Sequence, residues 1–214
     1  MVVIRPGRFV EKRIPDIASL YPILQKTYVG LRSWDFPHLD SHSDHNIYMD
    51  WIGQQFDRQH YISLWRFYQS GQFFHISGMG DDWRDQSTFW PPSTNWKPKT
   101  SLGIVEAIIT FSEIFEFSSR LSLSEAGDDL MHIEITVGNL AGRRLYCDSS
   151  RRMPLIHEHR ASLEKFSYPI DVNRSDLVAK SRDMAVNGAN ELFKRFDWTT
   201  TPELLRGWQD ETPR

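Results

Sequence analysis

The chain has one cysteine, Cys147, among 214 residues, so neither an intrachain disulfide nor a zinc cluster of several thiolates can form. No stretch approaches the roughly eighteen consecutive apolar residues of a membrane-spanning helix. The opening residues, MVVIRPGRFVEKRIP, lack the apolar core of a secretory signal. These absences predict a protein of the reducing cytoplasm that does not associate with membranes.

A basic excess is also missing, because 25 Lys and Arg residues face 28 Asp and Glu residues and give a formal net charge of −3. Proteins that grip nucleic acid through its phosphates usually carry a positive excess. Nucleic-acid binding is therefore not indicated, although a local basic patch could still provide it. Eight Trp and thirteen Phe indicate either a heavily aromatic core or stacking surfaces.

Sequence motifs of the commonest enzyme classes are absent as well. The chain contains no GxxxxGK[ST], GxSxG, HExxH or CxxC, and GMGDDW at 78–83 matches only the first two glycines of a dinucleotide loop. We therefore predict no cofactor, and the sequence favours a protein without catalytic activity.

The strongest local signal is the segment HYISLWRFYQSGQFFHIS at 60–77. Two aromatic runs flank Ser70-Gly71, which is typical of a β-hairpin with a two-residue turn. That turn predicts a buried face with Trp65, Phe67, Phe74 and Ile76. The opposite face then carries Arg66, Tyr68, Phe73 and His75.

A second hairpin is predicted over MHIEITVGNLAGRRLYCD at 131–148, with its turn between Gly138 and Gly142. Alternation places Ile133, Ile135, Val137, Leu145 and Cys147 in the core. The other face carries His132, Glu134, Arg144 and Tyr146. If both hairpins share a sheet, aromatic and basic side chains meet on one surface, which suits stacked bases or a protein partner. The alternative is that a helix covers this surface, and both interpretations stay open.

Helical spacing predicts a first helix within Ile14 to Leu31, a central buried helix from Ser101 to about Leu123, a helix capped by Ser175 and a short one from Thr201-Pro202. LEKFSYPIDV at 163–172 predicts an edge strand because of Pro169. The sequence thus predicts one α+β domain over 1–214, a two-layer sandwich whose mainly antiparallel sheet is built from the two hairpins. Residues 201–214 form its final short helix and tail.

Residues 78–100 predict a long loop that is rich in tryptophan and proline. Long loops in compact domains tend to be functional, and docking of Trp83, Trp90 and Trp96 would offset the entropy of ordering this one. We therefore expect an ordered loop that borders the binding surface.

Three clusters could carry chemistry. In WDFPHLDSHSDH at 34–45, imidazole and carboxylate groups suit zinc, manganese or iron, and the candidate ligands are His38, Asp40, His42, Asp44 and His45. A loop offers no rigid support for such ligands, so we predict that this segment holds no structural metal. Glu113 and Glu116 could act as an acid/base pair, but the favoured interpretation is a solvent-facing or capping role. Cys147 with His132 could form a nucleophile pair; a buried, inert thiol is favoured.

Five strings, GRFVEKRIP, LRSWDFPH, WRFYQSGQFFH, EIFEFSSRLSL and GNLAGRRL, resemble a bacterial region of unknown activity. That region accompanies Schlafen/AlbA-type DNA-binding domains in proteins described as helix-turn-helix or ATP-binding. The resemblance covers residues 7 to about 145 and does not include the Schlafen/AlbA-type domain. It implies an accessory or sensing domain of a bacterial defence or regulatory locus, without catalytic residues.

The function predicted from sequence is a binding or accessory domain that acts with a partner protein. Its predicted binding residues are Arg66, Tyr68, Phe73, His75, Trp83, Trp90, Trp96, Arg144 and Tyr146. The alternative, from another class, is a metal-dependent hydrolase or nuclease that uses the His/Asp cluster.

Overall fold

A computed structural model describes residues 1–32, 34–40, 45–58, 61–83 and 97–210. It confirms the α+β class, with a mainly antiparallel sheet and helices packed on it. The strands are β1 (Val2–Pro6), β2 (Asn46–Ile47), β3 (Trp51–Arg58), β4 (Tyr61–Tyr68), β5 (Phe73–Ser77), β6 (Ser101–Gly103), β7 (Leu130–Val137), β8 (Arg144–Tyr146), β9 (His159–Arg160) and β10 (Phe166–Asn173). The helices are α1 (Leu20–Thr27), α2 (Ile104–Ser122), α3 (Arg174–Phe193) and α4 (Pro202–Asp210).

Two sheets organise the strands. Seven of them form an antiparallel sheet in the order β10-β7-β1-β5-β4-β3-β2, and three short ones form a second sheet in the order β6-β8-β9. Alternate residues of the large sheet point to its inner face and are buried there, among them Ile4, Trp65, Phe73 and Ile133. Helix α2 packs against this face, where the Phe117 ring lies 4.7 Å from that of Phe73.

Helices α2 and α3 approach each other closely beside the sheet. A Cβ atom on Gly188 of α3 would lie 2.7 Å from the Phe111 ring of α2 and 3.3 Å from the Tyr168 ring of β10. Glycine is therefore required where the two helices and the edge strand meet.

No helix in the described part of the chain is long and apolar enough to cross a membrane.

The first hairpin forms, but its register differs by one residue from the prediction. Tyr68 and Gln72 close a three-residue loop, and Trp65 pairs with His75. Because side chains alternate between faces, this slip turns the second strand over. Phe73 and His75 are consequently buried in the core, which contradicts their predicted place on the binding surface.

The predicted faces of this hairpin are right for its first strand, β4, and wrong for its second strand, β5. Trp65 and Phe67 are buried, and Arg66 lies on the opposite face, as predicted. Phe74 is only half-buried and Ile76 is 46% exposed, so the prediction that both are core residues is wrong.

The three-residue loop depends on Gly71. Its φ is +85°, and a Cβ atom there would lie 2.3 Å from the carbonyl oxygen of Ala126. We expect Gly71→Ala to lower the free energy of unfolding by about 1–3 kcal/mol through backbone strain, measured by urea denaturation. Gly138→Ala is the control, because a Cβ atom there has no neighbour within 4 Å. An equal loss in both variants would contradict this loop geometry.

The second hairpin does not form. β7 pairs with β1 on one side and with β10 on the other, whereas β8 pairs with β6 in parallel and with β9. Strand β1 was not predicted from the sequence. Its five residues pair with β7 where the prediction had placed the strand around Leu145. Arg144 and Tyr146 therefore belong to the small sheet and share no surface with Arg66. Ile133 and Ile135 are buried as predicted, and Pro169 lies on an edge strand as predicted.

The predicted helices are found with adjusted ends. The central helix begins at Ile104, after the short β6, and ends at Ser122. The first is shorter than its apolar pattern, because Ile17–Ser19 is a 3-10 turn that leads into α1. Helix α3 begins at Arg174 with Asn173 as N-cap, two residues before the predicted cap, Ser175.

Candidate functional site

A cavity of about 790 Å³ lies between the N-terminal half of α2 and one end of the large sheet. Its floor comes from central strands, with Val2 of β1, His75 of β5 and Ile135 of β7. The segment after α1 and the segment after β5 form the remaining walls. This volume is within the range of roughly 300–1,000 Å³ that is typical of sites for small organic molecules.

Arg32 holds two glutamates of α2 at the cavity wall. Its Nε and Nη2 donate to the two carboxylate oxygens of Glu113 at 2.9 and 2.6 Å, and its Nη1 donates to Glu106 at 2.5 Å. Nη2 also donates to the hydroxyl of Thr110 at 3.3 Å. The guanidinium thus bonds to Glu106, Thr110 and Glu113, which lie at positions i, i+4 and i+7 and therefore on one face of α2.

Arg32 and Glu113 differ in how firmly they keep their charge. Burial raises the pKa of Glu113 to about 7, and the charge and hydrogen bonds of Arg32 offset only part of this effect. Burial also opposes the charge of Arg32, but the carboxylates of Glu106 and Glu113 outweigh it and raise the Arg32 pKa above its ordinary value. Arg32 remains charged when Glu113 is protonated, because Glu106 still faces it. Glu113 is therefore a carboxyl group that changes charge near neutral pH.

Helix α2 starts at the cavity, and Asp148 fixes this end. Its carboxylate accepts hydrogen bonds from the backbone N–H groups of Val105 at 2.7 Å and Glu106 at 2.9 Å. Burial raises the pKa of Asp148 to about 6 in spite of these two bonds. Since the first turn of a helix has unpaired N–H groups, this distant carboxylate acts as its cap and places Glu106 beside Arg32.

A second buried carboxylate, Asp81, ties the small sheet to the cavity rim. It accepts a hydrogen bond from the Tyr146 hydroxyl at 2.6 Å and another from the Gly103 N–H at 2.8 Å. Tyr146 is buried by this contact, which contradicts its predicted place on an open surface. Arg144 is half-buried on the same sheet, and its Nε donates to the Ser101 hydroxyl at 3.1 Å.

Aromatic rings form the apolar wall of the cavity. Trp34 stacks on Tyr61 with a centroid distance of 4.9 Å, and burial raises the pKa of the Tyr61 hydroxyl. Phe36 and Trp83 line the same space, and Trp83 packs so closely on Gly78 that a Cβ atom there would overlap its ring. The beginning of the His/Asp-rich segment is thus a cavity wall. Trp90 and Trp96 lie outside the described residues.

His75 belongs to the cavity floor and is 4% exposed. Its Nε2 atom has no hydrogen-bond partner in the described chain. Burial, together with the positive charges of the Met1 amino group and Arg32, lowers the pKa of His75 to about 3. The imidazole is accordingly neutral at ordinary pH, with a nitrogen that the described protein leaves without a partner.

Part of the predicted aromatic and basic surface, Arg66 and Tyr68, is found on the outer face of the large sheet. Arg66 lies 4.4 Å from the centre of the Trp51 ring, and Tyr48 stacks on the same ring at 4.0 Å. Tyr68 is 6.2 Å from Trp51. We call these four residues the Trp51 cluster. Its members are half-buried or exposed, so in the described part of the chain this face is open.

The candidate metal ligands have separate environments where they are described. His38 packs against the rings of Trp34 and Phe56, and His45 stacks on Tyr21. The backbone N–H and carbonyl of Asp40 bond to Gln54. Among the residues that the structure describes, no three His, Cys, Asp or Glu side chains could hold a metal ion together. His42 and Asp44 lie outside the described residues, so the prediction of no structural metal stays a prediction.

The members of the two candidate catalytic pairs, Glu113 with Glu116 and Cys147 with His132, have different partners in the fold. Glu113 is 1% exposed and paired with Arg32, so the favoured solvent-facing role is wrong for it. Glu116 instead is half-buried, pairs with Arg120 at 3.1 Å and accepts a hydrogen bond from Ser181 of α3 at 3.4 Å. Cys147 is buried as predicted, and His132 bonds to Asp171 on the large sheet at 2.5 Å. Neither proposed catalytic pair therefore forms.

Comparison of the chain with models of known protein families, with curated proteins and with solved structures found no match. The resemblance to the region that accompanies Schlafen/AlbA-type domains stays a prediction. The cavity is therefore interpreted from its own residues.

Proposed function

We propose that this chain is a small-molecule-binding domain of an accessory or sensing kind, and that the cavity beside α2 holds its ligand. The observation that carries the proposal is the ion pair between half-buried Arg32 and buried Glu113 at the wall of a roughly 790 Å³ cavity. Burying charge lowers stability unless the charges are well paired, and an apolar core of similar volume would be at least as stable. A functional role for the polar wall accounts for its presence.

The composition of the walls supports a ligand of mixed character. Ligand cavities typically combine apolar and aromatic walls with a few convergent polar groups, and groups with shifted pKa values concentrate at functional sites. Here Trp34 and Phe111 supply apolar surface, while Glu113 and His75 have strongly shifted pKa values. Support for ligand binding is stronger than for catalysis, because no nucleophile is paired with a base among the described cavity residues.

A fragment screen tests the proposal. We expect small aromatic compounds to raise the melting temperature of the full chain and to bind in native mass spectrometry. Ala107→Phe should remove this binding, because Ala107 lies on the cavity wall and a phenyl ring would occupy the space. Trp51→Leu, on the outer face of the sheet, is the matched control and should keep it. Binding that survives Ala107→Phe in a variant with a native circular dichroism spectrum would contradict the proposal.

Contact with a partner protein through the Trp51 cluster is the second candidate function. It retains Arg66 and Tyr68 from the predicted surface and adds Tyr48 and Trp51. Aromatic and arginine side chains are enriched where protein interfaces gain most of their free energy. The two functions are compatible, because a sensing domain needs both a ligand site and a surface that transmits its state. Loss of fragment binding in Trp51→Leu would favour this cluster over the cavity.

A further inference from the structure

The charged groups around the cavity are predominantly acidic. Among the described groups that line it, the cations are the guanidinium of Arg32 and the amino group of Met1, and four carboxylates outnumber them, those of Asp35, Glu106, Glu113 and Asp81. Asp81 is committed to Tyr146 and Gly103. The negative charges of Asp35 and Glu106 both act on Glu113, so these three carboxylates lie in one electrostatic neighbourhood.

Arginine in a cavity often indicates an anionic ligand, but Arg32 is already engaged. All three of its nitrogens donate to protein acceptors, and two carboxylates face its charge. An anion would have to displace Glu106 or Glu113, leaving a buried carboxylate without its partner. By contrast, Asp35 has no hydrogen bond or ion pair with any side chain in the described part of the chain. The available electrostatic partner is therefore negative.

The neutral part of the cavity suits the same ligand class. Cations are attracted to the faces of Trp and Tyr rings, and the stacked pair of Trp34 and Tyr61 stands beside the acidic residues. His75 adds a neutral imidazole with an unpartnered Nε2 and no positive charge that would repel a cation.

We infer that the cavity takes an organic cation: a protonated amine on an aromatic or aliphatic body, with the ammonium group near Asp35 and Glu113 and the body against Trp34 and Tyr61. This inference rests on the proposed function and names the ligand class of the same site. Three observations support this ligand class together: the excess of carboxylates, the guanidinium whose nitrogens all have protein acceptors, and the aromatic wall.

Three isosteric probes that differ in charge test the inference. Tryptamine, tryptophol and indole-3-acetate carry the same indole ring with a cationic, a neutral and an anionic side chain. Isothermal titration calorimetry of the full chain should give a Kd for tryptamine about tenfold below that of tryptophol, as expected for one added ion pair in a partly buried site. Indole-3-acetate should bind more weakly than both.

Variants show where the preference arises. Asp35→Asn should remove the preference for tryptamine and leave the affinity for tryptophol unchanged, since Asp35 stabilises no described partner. Glu116→Gln is the matched control, because Glu116 is on α2 outside the cavity and pairs with Arg120. It should change neither affinity.

The outcomes separate this inference from the proposed function. Tryptophol or indole-3-acetate binding as tightly as tryptamine, with binding blocked by Ala107→Phe, would overturn the cation inference and leave the ligand site standing. Neutral fragments that bind in the cavity without any binding of tryptamine would have the same meaning. If neither the probes nor a fragment library binds in a way that Ala107→Phe blocks, both the inference and the proposed function fail.

Discussion

Replacing Arg32 by methionine is expected to lower the free energy of unfolding by about 3–5 kcal/mol at pH 8, the usual range when one partner of a buried ion pair is removed. Glu113 is 1% exposed and receives two hydrogen bonds from Arg32, so in the variant it must either stay ionised without a partner or bind a proton that the unfolded chain does not hold at this pH, and both lower stability. Methionine keeps the unbranched apolar stem, which limits the loss to charge and hydrogen bonding. Urea denaturation followed by tryptophan fluorescence measures the change.

Two further variants serve as a control and as a test of the cause of the lost stability. Lys194→Met removes an exposed ion pair with Glu191 and should cost less than about 1 kcal/mol. Adding Glu113→Gln to Arg32→Met should restore part of the lost stability, because it removes the uncompensated carboxylate. A cost for Arg32→Met no larger than that of Lys194→Met would show that the pair at the cavity wall is not closed in solution.

Glu113 should make the protein less stable as the pH rises towards neutrality. Its pKa is raised from 4.5 to about 7, so between these values the folded state keeps a proton that the unfolded state has lost. Its contribution to stability is therefore full below about pH 4.5 and lost as the pH rises through 7. A shift of this size corresponds to about 3 kcal/mol over the whole interval.

The difference between wild type and Glu113→Gln isolates this effect from other groups. Asp148, whose pKa is raised to about 6, acts in the same direction, whereas His75, whose pKa is lowered to about 3, destabilises the protein on acidification. Both contributions cancel in the difference. Urea denaturation should therefore show Glu113→Gln gaining relative to wild type between pH 5 and pH 8. Glu116→Gln should show no such gain, and a flat difference for Glu113→Gln would contradict the raised pKa.

The local parts of the fold could be predicted from the sequence, because each is defined by neighbouring residues. The apolar stripe of α2 and the turn at Ser70-Gly71 are examples. The length of that turn could not be predicted, since Gly71 fits a two-residue or a three-residue loop equally well. Packing decides between them: the longer loop directs Phe73 towards Phe117 in the core, and Phe74 is an equally aromatic competitor in the sequence.

The cavity could not be predicted, because its residues come together only through long-range pairing. Glu106, Thr110 and Glu113 form a polar stripe that helical spacing shows, but their partner Arg32 is separated from Glu113 by 81 positions. Glu113 and Glu116 are neighbours on one helix, and their spacing indicates nothing about so distant a residue. Likewise, Trp34 and Asp35 begin a segment whose composition suits a metal-binding loop, whereas their place in the cavity wall depends on Tyr61 and α2.

The most direct test of the central claim is methyl NMR spectroscopy of the protein during titration with a fragment that raises its melting temperature. Cavity binding predicts chemical-shift changes at Ala107, Ile114 and Ile135, which line the cavity. It also predicts unchanged signals at Ile62 and Ile76, which lie exposed on the outer face of the sheet. Changes at Ile62 and Ile76 with constant signals from the cavity methyl groups would contradict the account and place binding on the open sheet face.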